Sequence, residues 1–234
     1  KFANGTNSIR AGGGSFPGTR AKSASLVRTQ LIKAQEYREK IRKANGDASK
    51  MPPRDLAMEA LVEVLEGTRM VHFHTHRHDD ILTALRLQKE FGFRIVLQHV
   101  SEAWKVAEEI AAAKAPASII FIDSPGGKLE TMDIKFENGI ALEKAGALTG
   151  FHTDDSITDS RWFLRSAGLA VRAGMSRDKA LYAVTMANAI MMDLQDRVGS
   201  LEIGKDADMV VLSGDPLSVY TNVLETWVEG NKVF

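Results

Sequence analysis

No cysteine occurs among the 234 residues. Disulfides and zinc–thiolate sites are therefore excluded, and any metal must be held by nitrogen and oxygen. An excess of charge of either sign is missing too: thirty basic residues balance thirty acidic ones. That balance gives no electrostatic reason to expect nucleic acid or an anionic membrane as a partner. No apolar run approaches the roughly 20 residues of a membrane-spanning helix, and the first residues do not form a signal peptide. A cytoplasmic setting is the expectation. What the chain does have is a hydrophobic fraction of 44%, enough to bury one large domain, or one domain with a small appendage.

Histidine is concentrated. Four of the six fall at alternate positions of one stretch, His72, His74, His76 and His78, directly after a short apolar run. His99 ends a second apolar run, and His152-Thr153-Asp154-Asp155 ends a third. Around them the pattern is regular. Strands are expected at 70–73, 94–97, 118–122 and 147–151, with helices over 79–91, 101–114, 133–145, 160–173 and 176–191. Ser101 and Ser176 stand as helix N-caps, and an earlier helix opens at Pro52-Pro53 with Asp55 in its first turn. Strands alternating with helices predict a parallel sheet with covered faces, a barrel or a doubly wound sheet.

The two ends differ from this core. Lys1 to Asn7 reads as the end of a strand running into a loop, as in a chain that begins inside a larger protein or in a processed fragment. A Gly-rich loop follows at 12–14, and it lacks the lysine and hydroxyl order of a phosphate loop. At the other end, 199–208 is turn-rich, and short strands are expected at 209–212, 223–228 and 232–234. Three such strands make a poor domain alone, so they are expected to pair with strands from elsewhere.

In a parallel barrel, catalytic groups project from the C-terminal ends of different strands, where His99 and Asp154 fall. Catalytic zinc takes about three protein ligands and keeps one position for water. Residues two apart on a strand share a face, so His72, His74, His76 and His78 point one way if the strand continues. An ordinary strand end supplies one or two ligands or substrate contacts, and the remaining imidazoles support them or lie at the surface. His78, beside Asp79-Asp80, reads as a helix start. Asp155 is an outer acceptor or a loop cap. Arg77, Lys128, Glu130, His152 and Arg161 are the polar residues placed to meet a substrate.

These pieces together resemble the metal-dependent amidohydrolase superfamily, in particular the C-terminal part of its imidazolonepropionase-like branch. The matching segments are 71–81, Val96-Leu97-Gln98-His99 and Phe151 to Ser156, followed by Ala180-Leu181, Thr185, Asn188-Ala189, 197–201, 204–208 and Gly214-Asp215-Pro216. The resemblance implies an α/β fold. Residues 1–198 would form a partial (β/α)8 TIM-like barrel, and 199–234 would supply strands of a small composite β-sandwich. It also implies one or two divalent ions, zinc first, on His74, His99, Asp154 and Lys1, with His74 the ligand of its strand rather than His76 or His72. Lys1 would match a lysine that bridges two metals when carboxylated.

The implied reaction is hydrolysis of a C–N bond in an amide, peptide or cyclic amide of a small-molecule substrate. Asp154 would serve as base and then acid, and His99 would act beside it. Ring deamination on the same scaffold is the nearest enzymatic alternative, and a non-catalytic scaffold or interaction subunit is the alternative of a different class. The family's first-strand His-x-His pair is absent, as are the first barrel strands. A missing N-terminal segment or companion chain is therefore expected to complete the barrel, in what is expected to be a homo-oligomer, with this chain insoluble or inactive by itself.

Overall fold

The computed structural model describes the backbone of residues 2–3 and all atoms of residues 18–120, 129–155 and 157–234. Lys1, the Gly-rich loop at 12–14 and Lys128 lie outside the described residues. The core is a parallel sheet of β1 (Phe2–Ala3), β2 (Val71–Thr75), β3 (Ile95–His99), β4 (Ala117–Ile120) and β5 (Thr149–His152), its strands neighbouring one another in chain order. The register pairs Thr75 with His99, His99 with Ile119 and Ile120 with His152. The strand ends that carry the histidines are thereby brought to one level. This is the parallel sheet predicted by the alternation of elements and the partial (β/α)8 barrel implied by the family resemblance.

Period-two alternation gives the sheet two chemically different faces. Val71, Phe73, Ile95, Leu97, Ala117, Ile119 and Phe151 turn to one side and are buried in one hydrophobic cluster. The cluster includes Ile81, Ala84, Leu85 and Leu87 of α3 (His78–Phe91), Ala107 and Ile110 of α4 (Ala107–Ala112), and Leu142 of α5 (Asn138–Ala145). Ala167 and Ala170 of α6 (Phe163–Arg172) and Ala180 and Ala183 of α7 (Arg177–Ala183) complete that layer. The opposite face carries His72, His74, Gln98, Ser118, Gly150 and His152, so the polar residues of the strands gather on the concave side.

Among the described residues, two α-helices precede β2. Helix α1 (Arg20–Ala44) starts where the Thr19 side chain accepts from Lys22 N and ends at Asn45, whose φ of 47° closes the last turn. Helix α2 (Leu56–Leu65) begins three residues later than Pro53, with Asp55 as its N-cap accepting from Ala57 N and Met58 N.

Three expected helices are divided, the one over 160–173 into a 3-10 turn at Ser160–Trp162 and α6. The stretch after Ser101 becomes a short 3-10 turn at Ala103–Lys105 and then α4. The stretch after Ser176 breaks at Thr185 into α7 and α8 (Met186–Met191). Neither serine caps a helix with its side chain: no such bond exists at Ser176, and the Ser101 hydroxyl is 2.7 Å from His76 Nδ1 instead.

Helix α8 closes the concave side at the N-terminal end of the sheet. Asn188 Nδ2 donates to Phe151 O at 2.9 Å. Leu148 O points toward β4, accepting from Ala117 N. By alternation Phe151 O faces the outer edge of β5, so the Asn188 amide satisfies a strand-edge acceptor. Gly150 makes this approach possible, because a Cβ there would lie 2.3 Å from Asn188 Oδ1 and 3.1 Å from Met191 Cε. The chain ends in a separate antiparallel sheet of β6 (Met209–Leu212), β7 (Val223–Val228) and β8 (Asn231–Lys232), two of whose ranges coincide with the expected strands.

Candidate metal centre

Position along β2 sorts the four histidines. His72, deepest on the concave face, accepts from Gln98 Nε2 at 2.9 Å and is also bonded to the Met191 backbone. Burial holds its pKa below the usual imidazole value. It is part of the packing above α8. His74 and His76 are 1% and 3% exposed. His78 opens α3, as expected, and its Nδ1 lies 2.5 Å from Glu102 Oε2, which also accepts from His78 N at 3.0 Å.

His99 reaches the same place by a different device. Strict alternation would turn it to the helix-packed side with Leu97. Its φ of 73°, followed by 39° at Val100, rotates the Cβ to the concave side. Left-handed backbone at a bulky residue stores about 1–3 kcal/mol and persists only where its surroundings impose it. Here Val100 N donates to Thr75 O at 2.8 Å and Asn138 Nδ2 donates to Val100 O at 2.9 Å.

Three imidazoles then form a triangle, with ring centroids 4.0 Å apart for His74 and His99, and 5.0 Å both for His74 with His76 and for His76 with His99. His152 packs against His99 from the next strand but one. Its Nε2 is 3.2 Å from His99 Nδ1, and its Nδ1 is 2.8 Å from Ser118 Oγ.

Asp154, also left-handed at φ 51°, brings Oδ2 to 4.0 Å from His99 Nδ1 and leaves its side chain 45% exposed at the mouth of the site. Aspartate tolerates this conformation, and the turn is held by Ile157 N donating to Asp154 O at 2.7 Å. Asp155 is a loop acceptor, taking a hydrogen bond from Ser160 Oγ at 3.1 Å. Of the polar residues expected to meet substrate, Arg77 and Arg161 turn instead to Asp79 and Asp159 beside them. Glu130 turns inward. Only 2% exposed, it receives Arg20 Nη2 at 3.2 Å and faces His76 Nε2 at 4.0 Å, and Arg20 also pairs with Asp80.

The donor chemistry suits a divalent ion of zinc type: imidazole nitrogens and carboxylate oxygens, with no sulfur, converging from several elements in a buried pocket. Ser118 and Ser101 are the contributors that sequence reading missed. Ser118 had a usable signal, being the one polar residue of an apolar strand and in phase with the histidine face. Ser101 had none, because the same pattern reads as an N-cap.

The sequence profile of the amidohydrolase family matches residues 32–234. The chain belongs to that family. It superimposes on an amidohydrolase from Thermotoga maritima MSB8 with a TM-score of 0.88 and 34% identity, over 93% of this chain and 57% of the other. It is 28% identical over 193 residues to the amidohydrolase tasK of Hapsidospora irregularis, covering 81% of this chain and 20% of tasK. An adenosine deaminase from Xanthomonas campestris with bound zinc shares the fold at a TM-score of 0.54 and 20% identity, over 76% of this chain and 48% of that one. This amidohydrolase chain thus spans just over half of its Thermotoga relative and a fifth of tasK. The resemblance read from the sequence is borne out at the level of the superfamily.

Proposed function

We propose that this chain carries a large part of the active site of a metal-dependent hydrolase that cleaves a C–N bond of a small-molecule amide, peptide or cyclic amide. The observation that supports it most is the meeting of His74, His99 and Asp154, contributed by β2, β3 and the turn after β5, at one end of a parallel sheet. His74 and His99 would hold a divalent ion, zinc by donor chemistry, with Asp154 and Lys1 joining by resemblance to the family. Such an ion lowers the pKa of water and polarises a carbonyl.

The protein's own groups supply the proton chemistry. Asp154, at the mouth and within reach of solvent, accepts the proton of the attacking water on a carboxylate oxygen and returns it to the leaving nitrogen. His152 holds the His99 ring from behind, with Ser118 beneath it. The outer edges of β1 and β5 have no strand partner among the described residues, and strands from outside these residues would complete the barrel.

Asp154→Asn tests the assignment. Loss of a general base costs about 10²–10⁴-fold in turnover, so amide hydrolysis by the variant should fall at least about a hundredfold while its circular dichroism and melting temperature are kept. A variant that still turns over at the parent rate removes Asp154 from the base role.

A further inference from the structure

We propose that Asn138 is a positioning residue for His99: from the helix-packed side of the sheet, its side-chain amide holds the strained turn that delivers this imidazole to the concave face. The inference rests on the metal-dependent reading above and deepens it, by naming what orients one ligand of that centre. By alternation His99 belongs with Leu97 on the helix-packed side. Val100 goes there instead, fully buried in the hydrophobic cluster that holds Leu97 and Leu142 of α5. The exchange requires left-handed backbone at both residues, with φ of 73° at His99 and 39° at Val100, a conformation that β-branched residues rarely adopt.

Two successive peptide planes hold Val100 in that conformation. The plane before it is fixed by Val100 N, which donates to Thr75 O at 2.8 Å. The plane after it is fixed by the Val100 carbonyl, which accepts from Ala103 N at 2.9 Å and from Asn138 Nδ2 at 2.9 Å, so that both of its lone pairs are engaged. Ala103 belongs to the same turn and moves with it. Asn138 does not. It is fully buried in the first turn of α5, its own N–H donating to Lys135 O at 3.2 Å, and it reaches the turn from 38 positions along the chain. A carbonyl can only accept, so the amide nitrogen is the atom that faces it. Without this donor Val100 O keeps its local partner alone, and the plane is free to rotate toward the extended backbone that valine prefers. That rotation carries the His99 ring away from His74, whose centroid lies 4.0 Å from it, and from His152.

Zinc affinity of the protein, stripped with a chelator and titrated in competition with a chromophoric chelator, tests the inference without reference to turnover. Asn138→Ala should weaken zinc binding at least about tenfold, the loss usual for an outer partner of a ligand. Adding Val100→Gly gives the turn a residue that takes positive φ without strain, so affinity should recover at least about threefold, although the lost valine side chain lowers the melting temperature further. A residue that served stability alone would move affinity and melting temperature together, and that result in the double variant counts against the proposal. In the metal-free protein, the ring nitrogen resonances of His99 should shift in Asn138→Ala while those of His72 stay in place. Asn138→Leu, of similar size and without the donor, repeats both measurements should the alanine variant not fold. Parental zinc affinity in a folded variant at position 138, or His99 resonances that stay in place, overturns the inference while leaving the hydrolase reading intact. A parent protein that binds no zinc overturns the metal reading itself, and the metal-free resonances then decide the role of Asn138.

Discussion

The ring of His152 links Ser118 to His99: its Nδ1 lies 2.8 Å from Ser118 Oγ and its Nε2 lies 3.2 Å from His99 Nδ1. A histidine whose one nitrogen is fixed by such a partner has both its tautomer and its ring plane set, and the nitrogen it presents to the site is set with them.

His152→Phe keeps the ring volume and removes the link. Outer partners of this kind are worth about 10–100-fold in metal affinity or activity, and zinc titration of the variant should show a loss in that range. Ser118→Ala, which leaves the two imidazoles in contact, should cost less. Equal losses for the two variants would place the constraint in Ser118 rather than in the ring.

Gly150 admits helix α8 to the concave face of β5. A methyl group at this position meets Asn188 Oδ1 at 2.3 Å and forces the helix outward, with an overpacking cost of about 1–3 kcal/mol. Gly150→Ala should lower the midpoint of urea unfolding accordingly. An unchanged midpoint would show that α8 slides at no cost.

Glu102 makes the stability of the β3 turn depend on pH. Burial alone would raise its pKa, but hydrogen bonds from the His78 backbone and ring and from Lys105 outweigh it and hold the carboxyl below the usual value. Because the folded-state pKa is depressed, the stabilisation is fully present above the unfolded value of about 4.3 and disappears as pH falls through the folded one. The slope of unfolding free energy against pH below about 4.3 should therefore be shallower in Glu102→Gln than in the parent. Parallel curves for the two proteins would count against this linkage.

The sheet was legible in the sequence because each strand announces itself locally. Val71 and Phe73 alternate with histidines, Ile95-Val96-Leu97 is a continuous apolar run, and Gly92 at φ 74° ends α3 where its composition says it should. His74, His99 and Asp154 followed from their positions at strand ends together with the family resemblance. What escaped depends on partners far along the chain. Ser101 abandons its cap because His76, 25 positions earlier, offers a better acceptor or donor inside the pocket. Glu130 meets Arg20 across 110 positions, and nothing around either residue marks it as buried. The helix expected over 176–191 divides at Thr185 because α8 has to turn beneath β5, a requirement set by Gly150 and Asn188 rather than by helix propensity.

The placement of α8 also braces strands that are not neighbours. The Met191 backbone bonds His72 of β2, and Asn188 donates to Phe151 O of β5 while packing against Gly150. One short helix thus holds the strand that carries His74 and the strand that carries His152, so a change in α8 is felt on two sides of the histidine cluster at once.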